Sequence, residues 1–135
     1  MARARILLAD DFEGIRDQAI RLLEPEFDIV AVVGNGTALL DAVREMQPDV
    51  CVLDISMPVL SGIEAADRLR ESGSTANIVF LTVHEDTEFV QAALAAGALG
   101  YVLKSRMASD LCLAVKEAMA GRLFVSSALS TLTNH

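Results

Sequence analysis

Four short apolar runs, each ending at polar side chains, constrain this chain more than any other feature. The runs cover residues 6–9, 50–53, 78–81 and 101–103. The polar residues that follow them are, in order, the pair Asp10 and Asp11, then Asp54, Thr82 and Lys104. Continuous apolar runs of this length are typical of strands that are covered on both faces. A carboxylate at the end of such a strand is costly to bury unless its charge is paired or used, so we expect these side chains to form one site.

Segments with helical periodicity separate the strands. Five predicted strands alternate with five predicted helices: strands near residues 5–9, 27–33, 50–53, 77–81 and 100–103, and helices near 12–23, 35–46, 61–73, 86–96 and 108–120. Such alternation implies parallel strands joined by right-handed crossovers, with helices on both faces. We therefore predict an α/β fold with a doubly wound five-stranded parallel sheet. The common strand order for five such units is 2-1-3-4-5.

This strand order brings the polar strand ends together. Ligands bind outside the carboxyl ends of the strands where the winding direction reverses, which here lies between the strands ending at Asp10–Asp11 and at Asp54. Three neighbouring carboxylates repel one another, and an oxygen-only cluster of this kind suits Mg²⁺. One of the two adjacent aspartates could instead cap the following helix. That alternative explains neither the second aspartate nor Asp54.

The residues on this rim suit phosphoryl chemistry. An aspartate such as Asp54 can attack a phosphoryl group and form an aspartyl phosphate. The transferred group carries its charge on three oxygens, so catalysis is mainly positioning and neutralisation. A metal ion, the Lys104 ammonium and the Thr82 hydroxyl could each serve one oxygen. Taken singly, Lys104 could be a surface lysine and Thr82 an ordinary strand residue; their shared position favours the functional role.

Length, charge and cysteine content exclude several classes of protein. The 135 residues fit one domain. The net charge of −8 and a pI near 4.6 speak against nucleic acid binding by this chain itself. Cys51 and Cys112 lie in apolar patterns and are predicted to be buried thiols of a reducing compartment. No apolar stretch is long enough for a membrane span or a signal peptide, so we expect a cytoplasmic protein with no membrane contact.

Five separated positions resemble the motifs of response-regulator receiver domains, over about residues 4–121. They are Asp10, Asp11, the pattern D-x-x-M-P-x-x-x-G over residues 54–62, Thr82 and Lys104. The resemblance implies a flavodoxin-like fold and phosphorylation of Asp54 by a sensor histidine kinase. It also implies Mg²⁺ held by Asp11, Asp54 and the carbonyl of Ser56, with Asp10 acting through water. On this reading the chain is not an enzyme beyond catalysing phosphoryl transfer to its own Asp54.

The resemblance also implies a switch. In such receivers the threonine moves toward the phosphoryl group, and an aromatic residue three positions before the lysine turns inward; the matching residues are Thr82 and Tyr101. A static, half-buried tyrosine is the alternative.

The output surface would be helix 86–96, strand 100–103 and helix 108–120 (the α4-β5-α5 face), which could also carry a homodimer. This face would be built on Phe89, Val90, Leu99, Tyr101 and the helix through Leu111 and Val115. That helix is amphipathic and is predicted to bury Leu111, Val115 and Met119. The kinase is expected to dock on the first helix, around Phe12, Ile15 and Arg16.

Further details resemble the NarL/FixJ (LuxR-type) transcription regulators. These are Ser105 in place of proline after Lys104, the run VHED at 83–86 and the segment AVKEAMAGRLFVSSAL at 114–129. A peptide bond without proline is expected to be trans. Val83 stands where receivers usually have a small residue and could slow hydrolysis of the acyl phosphate, and His84 is expected on the rim.

In this subgroup a helix-turn-helix domain follows the receiver. We expect a receiver over residues 1–121, and over 122–135 a tail or the start of a linker to a DNA-binding domain absent from this chain.

Other functions remain open at this stage. A stand-alone receiver would lack a DNA-binding partner domain. Aspartyl-phosphate phosphohydrolases have a second aspartate two residues after the nucleophile, where this chain has Ser56. A degenerate receiver that only binds or dimerises would not need the complete set of polar residues. A flavin-binding flavodoxin needs a phosphate loop rich in Ser, Thr and Gly after the first strand, and this chain has none there.

Overall fold

Parallel strands covered by helices on both faces make up residues 3–126, the part of the chain that the computed structural model describes. In chain order the elements are β1 (Arg5–Ala9), α1 (Glu13–Leu23), β2 (Asp28–Val33), α2 (Gly36–Met46), β3 (Val50–Leu53), α3 (Gly62–Glu71), β4 (Asn77–Thr82), α4 (Thr87–Ala95), β5 (Gly100–Leu103), α5 (Met107–Met119) and β6 (Phe124–Val125). A short 3₁₀ turn, Lys104–Arg106, joins β5 to α5. The sheet order is β2-β1-β3-β4-β5-β6, which confirms the predicted order of the first five strands and the α/β class.

Side chains of the central strands alternate between two apolar layers. In β1, Ile6 and Leu8 pack with residues of α1 and α5, whereas Leu7 and Ala9 pack with residues of α2, α3 and α4. All four side chains are fully buried. Successive side chains of a strand point to opposite faces, so a strand between two helical layers must be apolar at every position. The continuous apolar runs therefore arise from burial on both faces of the sheet.

The sheet has one strand more than the sequence predicts. The Phe124 amide donates to the Leu99 carbonyl at 2.9 Å, and the Ser126 amide donates to the Tyr101 carbonyl at 2.9 Å. These bonds place β6 parallel to β5 at the edge of the sheet. The sequence predicts a tail or the start of a linker over residues 122–135, because a two-residue strand has no periodicity of its own. Of that segment, residues 127–135 lie outside the described part of the chain.

The two cysteines are free, as predicted, but they differ in burial. Cys51 lies within β3 and is fully buried, which raises the pKa of its thiol to about 12. Cys112 is only partly buried on α5, where its thiol donates to the Leu22 carbonyl at 3.1 Å. Among residues 3–126 no helix has both the length and the apolar character that a membrane crossing requires.

Gly62 allows the start of α3 to pack directly on the end of β3. A Cβ atom at this position would overlap the backbone oxygen of Asp54. The Gly62 amide donates to the Ile55 carbonyl at 2.8 Å, and Ser61 caps the helix by accepting from the Glu64 amide at 3.2 Å. Glycine is required here because any side chain would push the helix away from the loop that carries Asp54.

We expect Gly62→Ala to destabilise the protein by more than about 2 kcal/mol, because the added methyl group meets backbone atoms that cannot move independently. Gly14→Ala is the matched control, since no atom lies within 4 Å of a Cβ added there and the position is inside α1. That substitution should stabilise the protein by about 0.5–1 kcal/mol. Urea unfolding measures both, and equal stability of the two variants would contradict the expectation.

Candidate functional site

The polar side chains predicted to converge lie on one edge of the sheet. Asp10 and Asp11 follow β1, Asp54 follows β3, Thr82 is the last residue of β4, and Lys104 follows β5. The carboxyl ends of parallel strands point the same way, so these residues meet where the strand order reverses. Asp10, Asp54 and Thr82 are buried, whereas Asp11 is exposed. The cluster therefore reaches solvent on the side of Asp11.

Three carboxylates form the acidic part of this site. Asp10, Asp11 and Asp54 each offer one ligand atom, and these atoms lie within 4.8 Å of one another. The Oδ2 atom of Asp10 is buried and has no partner in hydrogen-bond geometry among the described residues. Hard carboxylate oxygens are the ligands that Mg²⁺ takes in proteins. The donor set fits a magnesium ion.

Lys104 links two of the three carboxylates. Its Nζ atom lies 2.9 Å from Oδ2 of Asp10 and 3.1 Å from Oδ2 of Asp54, and its side chain is 9% exposed. The contact with Asp54 is a hydrogen bond, whereas the contact with Asp10 is an ion pair without that alignment. The ammonium also lies 5.6 Å from the centroid of the Phe12 ring, within range of a cation–π interaction. Lys104 is thus held as the counter-charge of the buried carboxylates.

The electrostatic balance of the cluster favours a further cation. Burial raises the pKa of Asp54 above its ordinary value; the Lys104 ammonium opposes this effect, and the Asp10 carboxylate adds to it. Burial by itself would lower the pKa of Lys104, but the Asp10 and Asp54 carboxylates outweigh it and hold that pKa above its ordinary value. One ammonium cannot neutralise three carboxylates. The uncompensated negative charge is what a divalent ion would neutralise.

His84 joins the loops that follow β3 and β4. Its Nε2 atom lies 2.7 Å from the Ser56 hydroxyl, and its ring stacks on Phe89 with centroids 4.0 Å apart. The Ser56 amide in turn donates to Oδ1 of Asp54 at 3.3 Å, and the His84 amide donates to the Thr82 hydroxyl oxygen at 3.2 Å. The sequence predicts His84 on the rim but not its bond to Ser56. The two residues are 28 positions apart, and only the loop conformations bring them together.

Tyr101 points into the molecule. It is fully buried, and its hydroxyl donates to the His84 carbonyl at 2.8 Å. Burial raises the pKa of Tyr101, and the nearby charge of Asp86 adds to the effect. The phenol is therefore a neutral hydrogen-bond donor at physiological pH. The structure places Tyr101 beside the loop that begins at Thr82, rather than half-exposed on the edge of β5.

Most of the residues named for the predicted output face lie beneath its surface. Four residues assigned to that face are fully buried: Val90, Tyr101, Leu111 and Val115. The exposed apolar side chains of α5 are Leu113 and Met119. Leu111 and Val115 are buried as predicted, on the side of α5 that packs on the sheet, whereas Met119, also predicted to be buried, is exposed. The Lys104–Ser105 peptide is trans, as expected, since residues 3–126 contain no cis peptide bond.

In buffer with EDTA, we expect the wild-type protein to lose stability relative to Asp54→Asn as the pH rises above 3.8, the ordinary pKa of an aspartate. The raised pKa means that the folded state holds the Asp54 proton more tightly than the unfolded state. The stability that this proton contributes is present below the ordinary pKa and is lost as the pH rises through the folded-state value. Asparagine has the same shape and no such charge.

Urea unfolding of both proteins between about pH 4 and pH 8 tests this linkage. The free energy of unfolding of Asp54→Asn minus that of the wild type should increase as the pH rises and then become constant. Asp41→Asn, an exposed substitution on α2, is the control and should follow the wild type throughout. A difference between Asp54→Asn and the wild type that does not change with pH would contradict the raised pKa.

Comparison with known proteins identifies the family. Residues 6–116 match the family model of the response regulator receiver domain. The nitrate/nitrite response regulator protein NarL of Escherichia coli K12 is 36% identical over 129 residues, covering 94% of this chain and 60% of NarL. The transcriptional regulatory protein DegU of Brevibacillus brevis is 34% identical over 125 residues, covering 91% of this chain and 53% of DegU.

A solved structure agrees with these relatives. The crystal structure of a LuxR-family two-component response regulator from Aurantimonas sp. SI85-9A1 superimposes with a TM-score of 0.91 at 34% identity. The match covers 96% of this chain and 94% of that one. This chain spans 60% and 53% of the lengths of NarL and DegU, and the matched part is their receiver portion. Sequence motifs, sheet order and the position of the acidic cluster therefore agree: the chain belongs to the response regulator receiver domain family, in its NarL/LuxR-type branch.

Proposed function

We propose that this receiver accepts a phosphoryl group on Asp54 from a sensor histidine kinase, in a reaction that requires Mg²⁺. The observation that carries the proposal is the position of the Asp54 carboxylate, buried, hydrogen-bonded to Lys104 and within 4.8 Å of two further carboxylates. A buried aspartate with a raised pKa and a specific charge partner is typical of functional sites. The Asp10 carboxylate also has a local structural role, since its Oδ1 atom accepts from the Phe12 amide at 2.9 Å, but such a role does not account for Asp54.

The reaction forms one bond and breaks one. An oxygen of Asp54 attacks the phosphorus atom of phosphohistidine, the new P–O bond forms, and the P–N bond breaks as the imidazole leaves. Asp11, Asp54 and the Ser56 carbonyl would hold Mg²⁺, with Asp10 acting through water, and the ion would neutralise phosphoryl charge. The chain's own groups position the acceptor: Lys104 binds Oδ2, and the Ser56 amide binds Oδ1.

Lys104 and Thr82 then hold the product. Once Asp54 is an acyl phosphate, its phosphoryl oxygens lie where the Lys104 ammonium can neutralise one of them. Thr82 accepts its present hydrogen bond from the His84 amide, which leaves the hydroxyl proton free to be donated to another phosphoryl oxygen. Transfer to Asp54 is thus catalysed by the receiver itself, and the phosphorylated protein is the signal.

The switch that we propose runs from Thr82 to Tyr101. The backbone of His84 connects them, because its amide donates to Thr82 and its carbonyl accepts from Tyr101. A movement of Thr82 toward a phosphoryl group would displace this loop. The displaced loop would in turn move Tyr101 and the start of α4. The surface of α4, β5 and α5 would change with it, and this surface could carry a homodimer. The kinase would dock beside the acidic cluster on α1, where Phe12 is 63% exposed.

Transcriptional output belongs to the rest of the protein on this proposal. DegU is named as a transcriptional regulatory protein, and this chain spans about half of its length. We propose that a helix-turn-helix domain elsewhere in the protein binds DNA, since the acidic receiver itself does not suit that role. Two free cysteines support a place in the reducing cytoplasm.

With acetyl phosphate and Mg²⁺ we expect the protein to gain one phosphoryl group, and Asp54→Asn to gain none, because the amide is not a nucleophile. Intact-protein mass spectrometry measures the added mass. Asp41→Asn, in which an exposed aspartate of α2 is replaced, should be labelled like the wild type. Labelling of Asp54→Asn would place the acceptor elsewhere, and continuous hydrolysis of acetyl phosphate without a labelled intermediate would favour a phosphohydrolase.

Without any phosphodonor, Mg²⁺ should raise the thermal midpoint of unfolding, because the ion relieves repulsion within the acidic cluster in the folded state only. Asp11→Asn should reduce this gain at least severalfold while leaving the fold intact, since Asp11 is exposed. Asp17→Asn, an exposed substitution on α1, should keep the full gain. An equal response to Mg²⁺ in all three proteins would argue against metal binding at the cluster.

A further inference from the structure

A second buried carboxylate lies outside the acidic cluster, at the start of α5. Asp110 is 6% exposed. Its Oδ1 atom accepts from the Ser109 hydroxyl at 2.9 Å, and its Oδ2 atom accepts from the Ser126 hydroxyl at 2.8 Å and from Nε of Arg106 at 3.1 Å. Although burial opposes ionisation, these three hydrogen bonds hold the pKa of Asp110 below its ordinary value. Asp110 is therefore an ionised acceptor with several donors.

Ser126 connects this carboxylate to the end of β5. The Ser126 side chain is fully buried, and its hydroxyl oxygen accepts from the Leu103 amide at 3.1 Å. A hydroxyl has a single proton, and an ionised carboxylate can only accept. The Ser126 proton must therefore point to Asp110, which leaves the oxygen lone pairs for the Leu103 amide. The Leu103 amide can only donate and the Asp110 carboxylate can only accept, so both hydrogen bonds of Ser126 have a fixed direction.

The residue after Leu103 is Lys104, the counter-charge of the acidic cluster. Its long side chain has to reach Asp10 at 2.9 Å and Asp54 at 3.1 Å at the same time. Four rotatable bonds separate Nζ from the backbone, so these contacts depend on where the backbone is held. The following residue is Ser105, whose trans peptide bond lacks the rigidity of a proline ring.

We propose that Asp110 and Ser126 are positioning residues for Lys104. Ser126 holds the backbone before the lysine through the Leu103 amide, and Asp110 holds the turn after it through Arg106. The same carboxylate oxygen, Oδ2 of Asp110, accepts from both partners, so the two restraints share one anchor. Hydrogen bonds to an ionised acceptor are stronger than those between neutral groups.

This inference rests on the proposed function, in which Lys104 contacts the phosphoryl group, and it extends that function to the segment beyond α5. The Ser126 amide donates to the Tyr101 carbonyl, so the same residue binds β5 on both sides of Val102. The segment that the sequence assigns to a tail would then contribute to the chemistry at Asp54. A receiver ending at residue 121 would lack this anchor.

The test is Ser126→Ala in the full 135-residue chain, with Ser109→Ala as the matched control. Both remove one hydroxyl from Asp110, but only Ser126 contacts the Leu103 amide. We expect Ser126→Ala to be labelled by acetyl phosphate about three- to tenfold more slowly at saturating Mg²⁺. Ser109→Ala should be labelled at the wild-type rate. Asp110→Asn, which keeps the shape and removes the charge, should also be slow.

A second readout follows Lys104 without any phosphodonor. The NMR signal of its Nζ group should shift toward that of a solvent-exposed lysine in Ser126→Ala and Asp110→Asn, and should stay in place in Ser109→Ala. Wild-type labelling rates with an unmoved Lys104 signal in Ser126→Ala would overturn the inference, as would equal slowing by Ser109→Ala. If the wild type itself is not labelled, the proposed function fails, and the Lys104 signal alone decides whether the two residues position it. Urea unfolding confirms that each variant is folded. If Ser126→Ala does not fold, Asp110→Asn is compared with the wild type and Ser109→Ala instead.

Discussion

The ammonium of Lys104, placed between Asp10 and Asp54, is the interaction on which the rest of the site depends. Two buried carboxylates at one edge of a sheet would repel each other and resist ionisation without it. Its Nζ atom lies 2.9 Å from Asp10 and 3.1 Å from Asp54 and so pairs with both carboxylates, yet a third carboxylate remains uncompensated. A divalent ion would neutralise the remaining negative charge and would also offset the negative charge of a transferred phosphoryl group.

The fold brings these charged groups together because they lie at the ends of neighbouring strands. Four parallel strands deliver one or two polar residues each to the same edge, and helices on both faces keep water from the strands themselves. Gly62 lets α3 approach the Asp54 backbone, and Ser56 and His84 join the two loops that flank the site. The chain of contacts from Thr82 through His84 to Tyr101 gives the site a physical connection to β5.

Much of this arrangement is predictable because its causes are local. Apolar runs with a polar last residue identify the strands, and alternation with helices implies their order, so the positions of Asp10, Asp11, Asp54, Thr82 and Lys104 follow. The sixth strand does not follow, since two residues carry no period and pair only because β5 offers an open edge. Periodicity also predicts that the last helix buries Leu111, Val115 and Met119; the first two are buried, but Met119 is the last residue of α5 and is 44% exposed.

The sequence by itself determined the α/β class, the strand order and the polar residues at the strand ends, because side-chain period and strand burial are properties of neighbouring residues. Only the tertiary structure decided which of those groups touch. The hydrogen bond between Ser56 and His84 joins residues 28 positions apart, and the one between Ser126 and Asp110 joins residues 16 positions apart. The inward position of Tyr101 depends on its burial. Such contacts depend on loop paths and on packing between elements, and no local pattern in a single chain records them.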